Sequence, residues 1–516
     1  MWDRPKQRVA GLKNRQLLQA AAGIALLALG AVFAYIPSRG YTQRHVVAAA
    51  SACRVDMLIF QARGEAPAGN SGTVVLFHGL AANKYIMTYL ARSLAQLGLT
   101  VYVPDLPGHG HTPGPFTPKN AEDCAGSLLR GLEARGLLNP ERTILAGHSM
   151  GGAIALRVAP RFRPAGVIAI SPAPMKPDYG VTPEKLLFNG VPPIGPNTLI
   201  SAGEFEPQGL AANAANLVPA NNTESDIRFF KLPGQSHVSV LFSPGVARMA
   251  QDWAAQTLHL NNPERLPSRL FLLGGILGFA GILVIAGPFL RELTTEVAAE
   301  QAGQPPTVSA LRACLEVLGV SLVAIAILRY VNPLKTLELF EGDYLASFFM
   351  LAGMGLVLLH LRLAQKKFPV KAGVFLGAGF AALILHLLVT GWLDLTITGT
   401  WMSLERWAKF PLFFFCAFLF LYGLELVLGP VGDPRRRYAT DLLAIVLAWS
   451  CLAIGAFFLH SGQILLVLLA PYFVLFFVLT RLGARLVRKR TASATAAAVF
   501  GAILLAGFCL ALFPVS

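Results

Sequence analysis

Charged side chains are scarce in this chain, only 14% of its 516 residues, where an ordinary soluble domain carries about 25%. That shortage excludes a single water-soluble globular protein. Acidic residues are the scarcer sign, 28 Asp and Glu against 43 Lys and Arg, which leaves a net charge of +15. Such a surplus can mean nucleic acid or a membrane surface, and its distribution along the chain decides between them. Metal-ligand spacing is missing: the ten histidines form no H-x-x-x-H or H-E-x-x-H pattern, so neither a metal nor another cofactor is expected. Apolar residues are plentiful. Hydrophobic residues make up 54% of the chain, including 33 Phe, and this excludes a disordered or collagen-like polymer. Yet 49 Gly and 34 Pro are too many for long helices alone. A loop-rich part and a membranous part must share the chain.

The composition changes twice. Residues 1–15 are polar and basic, a cytoplasmic tail, and 16–36 hold an apolar run, Leu17–Ile36, long enough to span a hydrocarbon core of about 30 Å. Residues 37–266 carry 19 Lys/Arg and 15 Asp/Glu with frequent Gly and Pro, as a globular protein does. From 269 to 516 apolar runs return, near 269–290, 308–331, 344–363, 371–391, 410–428, 440–460, 463–481 and 494–513. With the first run they make nine predicted spans, since eight buried core helices in succession is not a pattern of soluble domains. If the N-terminus is cytoplasmic, the inner segments hold eighteen Lys and Arg, among them Arg291, Lys366, Lys367, Lys371 and Arg435–Arg437, while the short outer loops hold Lys335, Arg406 and Lys409. The positive-inside rule then sets the topology and places 45–260 and the C-terminus outside the cytoplasm of a cell membrane. The basic charge is topological, and no nucleic-acid partner is expected.

A run of about twenty residues is long for a signal-peptide core, which favours an uncleaved anchor over cleavage after Val32-Phe33-Ala34. Ala50-Ser51-Ala52-Cys53 lies too far beyond that run to be a lipoprotein box. Cys53 and Cys124 fall in the exported segment, where a disulfide is permitted, although sequence leaves their proximity open. Cys314, Cys416, Cys451 and Cys509 lie in predicted spans and read as small hydrophobes.

Within 45–260 strand-like and helix-like segments alternate, as in a mostly parallel sheet covered on both faces. Strands are expected at Thr73–Phe77, Thr100–Pro104, Thr143–Ala146, Ala165–Ile170, Thr198–Ser201 and Arg228–Leu232. Helices are expected over 84–97, 119–135, 150–160, near 208–217 and near 244–258. Gly147-His148-Ser149-Met150-Gly151 stands between a strand and a helix, where G-x-S-x-G forms a tight turn that lifts a nucleophilic serine above the sheet. His78-Gly79-Leu80 follows the strand Thr73–Phe77, at the loop that supplies a second oxyanion donor; the donors would be the N–H groups of Leu80 and Met150. Glu206 follows a third strand and His237 a fourth. The order Ser149, Glu206, His237 suits a triad in which His237 deprotonates Ser149 and a carboxylate orients the imidazole. His78, His109 and His148 read as loop-ordering residues, as does Asp105.

Together, His78-Gly79, Asp105-Leu106-Pro107-Gly108-His109-Gly110, the G-H-S-M-G-G elbow and the late Gly-x-Ser-His resemble the α/β hydrolases of the monoglyceride lipase, lysophospholipase and serine-aminopeptidase-like group. The resemblance covers about 215 of the 516 residues and does not reach the C-terminal spans. It implies an α/β-hydrolase fold inserted between an N-terminal anchor and an all-α polytopic domain, and a Ser-His-acid esterase or lipase mechanism. The family usually has Asp as its acid. Here Glu206 is the choice and Glu204 the alternative. Only about 26 residues separate Ser171 from the strand Thr198–Ser201, where relatives insert a helical lid, so a nearly capless site is expected.

The sequence therefore points to a membrane-anchored serine hydrolase of acyl esters, acting on membrane lipids or a lipid-linked acyl substrate. A transacylase or peptidase could use the same triad, and a transporter or channel with a regulatory hydrolase domain is the reading of another class. Glu316, with Arg312 one turn earlier, and His386 are the ionisable suspects within spans. His360, His386 and Glu425 are expected near span ends, within reach of the interface. Trp392, Trp401 and Trp407 are expected in an aromatic belt. Oligomeric state is not legible.

Overall fold

The computed structural model of the chain describes residues 4–51, 53–64, 72–177, 181, 186–218, 226–263, 265–294, 308–362, 372–429, 434–459 and 463–516. Lys366, Lys367 and Lys371, counted above among the inner charges, lie outside the described residues. The chain forms two compact units. One comprises Met1–Ala31, Gly274–Trp392 and Leu404–Phe513, the other Val32–Leu273, Leu393–Ser403 and Pro514–Ser516.

The second unit is built on an eight-stranded sheet in the order β1-β2-β4-β3-β5-β6-β7-β8. The strands are β1 Tyr41–Ala50, β2 Cys53–Ala62, β3 Thr73–Phe77, β4 Thr100–Pro104, β5 Thr143–His148, β6 Gly166–Ile170, β7 Thr198–Gly203 and β8 Ile227–Leu232. From β4 through β3 to β8 every pairing is parallel. These strands read as short continuous apolar runs because helices cover both faces; every residue of β5, β6 and β7 is buried. The covering helices are α2 Thr88–Ala95, α3 Pro118–Ala134, α4 Met150–Phe162, α5 Gln208–Ala215 and α6 Pro244–Leu258, α1 being the N-terminal helix Arg4–Tyr35, which belongs to the other unit up to Ala31.

The antiparallel hairpin β1–β2 was not expected. It runs in register from Tyr41 opposite Ala62 to Ala50 opposite Cys53, and β2 pairs antiparallel with β4. Its outer strand is largely solvent-facing and carries Gln43, Arg44 and His45, the polar dress of a protected sheet edge, which leaves little hydrophobic signal. A disulfide joins Cys53 at the start of β2 to Cys124 in α3, with Cα atoms 5.6 Å apart.

Chain order reverses direction across β3 and β5: β4 lies on one side, β6 to β8 on the other. Open α/β sheets bind ligands at the carboxyl ends of strands beside such a switch point. His78-Gly79 follows β3 and Ser149 follows β5, so the fold brings the two motifs together.

The first unit is helical. Among the described residues, eight helices are long and apolar enough to cross a membrane: Asn14–Ser38, Leu270–Leu293, Ala310–Leu328, Gly342–Leu359, Ala372–Thr396, Leu404–Leu428, Arg437–Leu459 and Ala494–Leu512. The ninth predicted span, 463–481, is not one uninterrupted helix. It corresponds to a short helix Ile464–Leu468 and a longer one, Ala470–Thr491, with a break at Leu469. Small residues allow close helix packing: a Cβ at Gly353 would lie 2.4 Å from the backbone nitrogen of Phe420. Phe349, Phe420, Phe477 and Trp449 form an aromatic cluster around that approach.

Three expectations for this unit are corrected. Glu425 does not reach an interface; it is buried between Arg481 (2.6 Å) and Arg488. His386 is likewise buried, against Gly507. Trp392 is buried and donates its indole N–H to the Gly275 carbonyl at 3.1 Å, so it is an interhelical tie and not part of a belt. The expected Arg312–Glu316 pair is present at 2.8 Å, and His360 joins it, also at 2.8 Å. The four cysteines of these helices are free and buried.

Candidate active site

β5 delivers the chain into a turn that few residues can make. Ser149 sits at φ 54°, ψ −118°, a region costing about 1–3 kcal/mol for a residue with a side chain. The turn survives because its neighbours are glycines. A Cβ on Gly147 would lie 2.2 Å from the Gly151 carbonyl oxygen, and one on Gly151 would lie 2.3 Å from that of Phe77. The Ser149 N–H donates to the Ile170 carbonyl at 2.9 Å, and its carbonyl accepts from Ala173 N–H at 2.9 Å, so β6 braces the elbow. Met150 opens α4, so its N–H has no carbonyl one turn back and the positive end of the helix dipole faces the serine.

His237, in the loop after β8, places Nε2 2.9 Å from Ser149 Oγ. Behind it, His237 Nδ1 faces Glu206 Oε2 at 3.4 Å, and neither atom is hydrogen-bonded elsewhere. That separation is long for a hydrogen bond, as is common in unliganded sites. The other oxygen of Glu206 is fixed by the Gly203 N–H at 2.8 Å and by the Ser171 hydroxyl. Burial works against a charge on Glu206, but the facing His237 and the hydrogen bonds from Ser171 and Gly203 outweigh it and hold the carboxyl below its usual range. Glu204 points elsewhere and accepts from the Gly234 N–H at 2.8 Å. Of the two candidate acids, the structure brings Glu206 to His237.

The other predicted site residues form the frame. Gly79 passes so close to the elbow that a Cβ there would lie 3.2 Å from Ser149 Cβ and 3.0 Å from His148 Nδ1, which carries the following residue, Leu80, past the serine. His148 donates from Nε2 to the His237 carbonyl at 2.7 Å and packs its ring, tilted by 47°, 4.8 Å from that of His237. Burial, with His237 beside it, pushes the His148 pKa down to about 3; it is a neutral brace. Burial also lowers that of His78, whose Nδ1 donates to Gly79 O at 2.8 Å while Nε2 accepts from Leu106 N–H at 3.0 Å. His109 packs between His78 and Phe116.

One charged group was missed. Lys84 is fully buried, with Nζ 2.5 Å from Asp105 and 2.8 Å from Asp56. Asp105 also accepts the backbone N–H of Lys84 at 2.7 Å and of His111 at 3.1 Å, so it orders the loop after β4 as expected and ties it to the turn after β3. No sequence motif marks Lys84, because both partners are distant in the chain. Between β6 and β7 the described residues contain no helix, and residues 178–180 and 182–185 of the stretch expected to lack a cap lie outside them. Among the described residues no three His, Cys, Asp or Glu cluster as a metal site would require.

Residues 74–315 match the sequence pattern of the alpha/beta hydrolase family. The chain is 35% identical over 95 residues to a pimeloyl-[acyl-carrier protein] methyl ester esterase of Pseudoalteromonas atlantica, covering 18% of this chain and 33% of that protein. It is 26% identical over 172 residues to Esterase YjfP of Escherichia coli, covering 31% and 66% respectively. The chain thus spans about a third of the first relative's length. Among solved structures, a lidless α/β serine hydrolase of Xanthomonas campestris aligns with 44% of this chain and 96% of its own, at 18% identity and a TM-score of 0.33. An esterase of Pyrobaculum calidifontis aligns with 48% and 91%, at 16% identity and a TM-score of 0.36.

Proposed function

The chain belongs, through residues 74–315, to the alpha/beta hydrolase superfamily, and from that premise we propose that it is a membrane-anchored serine hydrolase of carboxylic esters. The observation that carries the reading is the 2.9 Å approach of His237 Nε2 to Ser149 Oγ on a strained elbow, with Glu206 behind the imidazole. The Ser149 hydroxyl passes its proton to Nε2 as Oγ attacks the ester carbonyl. Glu206 holds the Nδ1–H tautomer and stabilises the imidazolium. The oxyanion is met by the N–H groups of Met150 and Leu80. His237 then protonates the leaving alcohol, and water, activated by the same imidazole, releases the acid from the acyl-enzyme.

Esterase names among the relatives support an ester bond over a peptide bond. The eight apolar helices support a lipid or lipid-linked acyl substrate. Action outside the cytoplasm is supported by the charge asymmetry of the loops and by the Cys53–Cys124 disulfide, a bond of oxidising compartments.

The test uses the full chain in detergent or vesicles. Fluorophosphonate should label the wild type and not Ser149→Ala, and turnover of short-chain esters, monoacylglycerols and lysophospholipids should fall with the label by about 10⁴-fold or more. Ester turnover that survives Ser149→Ala would overturn the reading. Acyl transfer to an added alcohol in preference to water would make the protein a transacylase.

A further inference from the structure

The sheet-bearing unit includes a segment from far along the chain, Leu393–Ser403, which runs from the last turn of the helix Ala372–Thr396 to the start of the helix Leu404–Leu428. We propose that this segment is a positioning element of the esterase site, holding the turn that carries the Leu80 oxyanion donor. The inference rests on the serine-hydrolase reading above.

The turn after β3 has little to hold it from within. Its internal backbone hydrogen bond, Ala82 N–H to Gly79 O, is 3.2 Å long. Ala81 has a positive φ of 57°, an uncommon conformation for a residue with a side chain. A donor aimed at a transition-state oxyanion must nevertheless be fixed before the reaction, since reorientation during the reaction would cancel its benefit.

The support comes from Asn83. Its buried side chain makes a reciprocal pair with one backbone unit: Nδ2 donates to the Gly399 carbonyl at 2.5 Å, and Oδ1 accepts from the Gly399 N–H at 3.2 Å. The same Oδ1 caps the following 3₁₀ turn through the Tyr85 N–H at 3.1 Å. Two opposed bonds to the N–H and the C=O of one residue fix the plane of the amide as well as its distance. Gly399 is required for this approach, because a Cβ would lie 2.5 Å from the Tyr85 ring and 3.3 Å from Asn83 Nδ2.

The clamp is itself rigid. The N–H groups of Ile397 and Thr398 both return to Leu393 O, at 2.8 and 3.0 Å, and Thr400 N–H donates to Asp394 Oδ1 at 2.5 Å. On the far side of Asn83, Lys84 is pinned by Asp105. The turn is therefore braced from one side by the loop after β4 and from the other by residues 316 positions away.

Two variants of the full chain test this. Gly399→Ala forces the clamp apart. Asn83→Asp keeps acceptors for the Tyr85 and Gly399 N–H groups but sets an oxygen against the Gly399 carbonyl. Active sites are counted by fluorophosphonate titration, and hydrolysis of a p-nitrophenyl ester is expressed per titrated site. The expected result in both is a fall in kcat of about 10- to 100-fold with KM little changed. A trifluoromethyl ketone, which mimics the tetrahedral oxyanion, should lose affinity by a similar factor, while a substrate-shaped amide should not. If the variants merely contain fewer titratable sites, each with wild-type kcat, the segment is a structural strut and the proposal is overturned. Ser149→Ala run alongside separates the two readings: its loss of turnover with intact variants sinks only the clamp, whereas its retention of turnover sinks the serine mechanism itself.

Discussion

Both units bury charge, and in each the local backbone decides how it is anchored. In the sheet-bearing unit the buried carboxylates at strand ends and turns grip backbone, whereas Glu122, inside α3, is held by the guanidinium groups of Arg157 and Arg161. Asp105 accepts from the N–H groups of Lys84 and His111, and Glu206 from that of Gly203, besides their side-chain partners. In the helical unit Glu425 and Asp441 are held by guanidinium groups, those of Arg481, Arg485 and Arg488. The cause is what the local backbone leaves over. Inside a helix each N–H already donates one turn back, so the donors that remain belong to side chains; at strand ends and turns N–H groups are free. Glu341 obeys the same rule from the other direction. It accepts from Leu465 and Leu466 N–H, in the first turn of the helix Ile464–Leu468, where N–H groups have no helical partner. A carboxylate that grips backbone shapes a loop, whereas one that grips arginine joins two helices.

The largest expected effect tests the first half of that contrast within the site. Glu206→Gln keeps the side-chain shape but removes the charge behind His237, and kcat should fall by about 10³- to 10⁴-fold. Glu204→Gln still accepts from the Gly234 N–H, and its cost should stay within about five-fold, as expected for a loop tie remote from the imidazole. Ester kinetics of the two variants, normalised to titrated sites, decide the matter. Equal losses would mean that Glu204 also serves His237.

How much of this was legible in the sequence follows the same division between local and distant. The strands β3 to β8 were readable because burial on both faces writes a continuous apolar run, and the elbow because Gly147, Ser149 and Gly151 act on one another within five residues. The hairpin β1–β2 was not, since an exposed edge strand with Arg44 and His45 looks like a linker. Lys84, Glu425 and Trp392 were misjudged or missed for one reason. Their burial depends on partners 21 to 117 residues away, and hydrophobic periodicity shows which face of an element is apolar without showing what lies opposite. The clamp from Gly399 to Asn83 is the extreme case, at 316 residues. The choice of Glu206 rested on its position after β7 alone; sequence could not show that Ser171 and Gly203 would hold its other oxygen.

A pair of isosteric changes could break the contrast between the units. Glu425→Gln leaves Arg481 and Arg488 short of a buried counter-charge and should cost about 3–5 kcal/mol of stability, with kcat per titrated site unchanged. Asp105→Asn should cost a comparable amount, because Lys84 loses a buried partner. It should also lower kcat per site by about ten-fold, since the turn after β3 loses its brace from Asp105. Denaturant unfolding of detergent-solubilised protein gives the first quantity and titrated kinetics the second. If Asp105→Asn loses stability alone, backbone-gripping carboxylates do not transmit geometry to the site and the comparison fails.

The smallest effect is in pH dependence. The folded-state pKa of Glu206 lies below the ordinary 4.5 of a glutamic acid, since the facing His237 and the bonds it accepts outweigh its burial. A group whose pKa is lowered on folding adds stability that is fully present above its unfolded value and disappears as pH falls through the folded one. Wild-type protein should therefore lose stability more steeply than Glu206→Gln as pH falls below about 4.5, and the two unfolding curves should approach each other there. Because Gly203 N–H and the Ser171 hydroxyl accompany His237 in holding the carboxylate, Ser171→Ala should retain part of this difference. Slopes of wild type and Glu206→Gln that superimpose from pH 6 to 3 would mean that folding does not favour the charged form of Glu206. The backbone grip would then fix its position without fixing its ionisation.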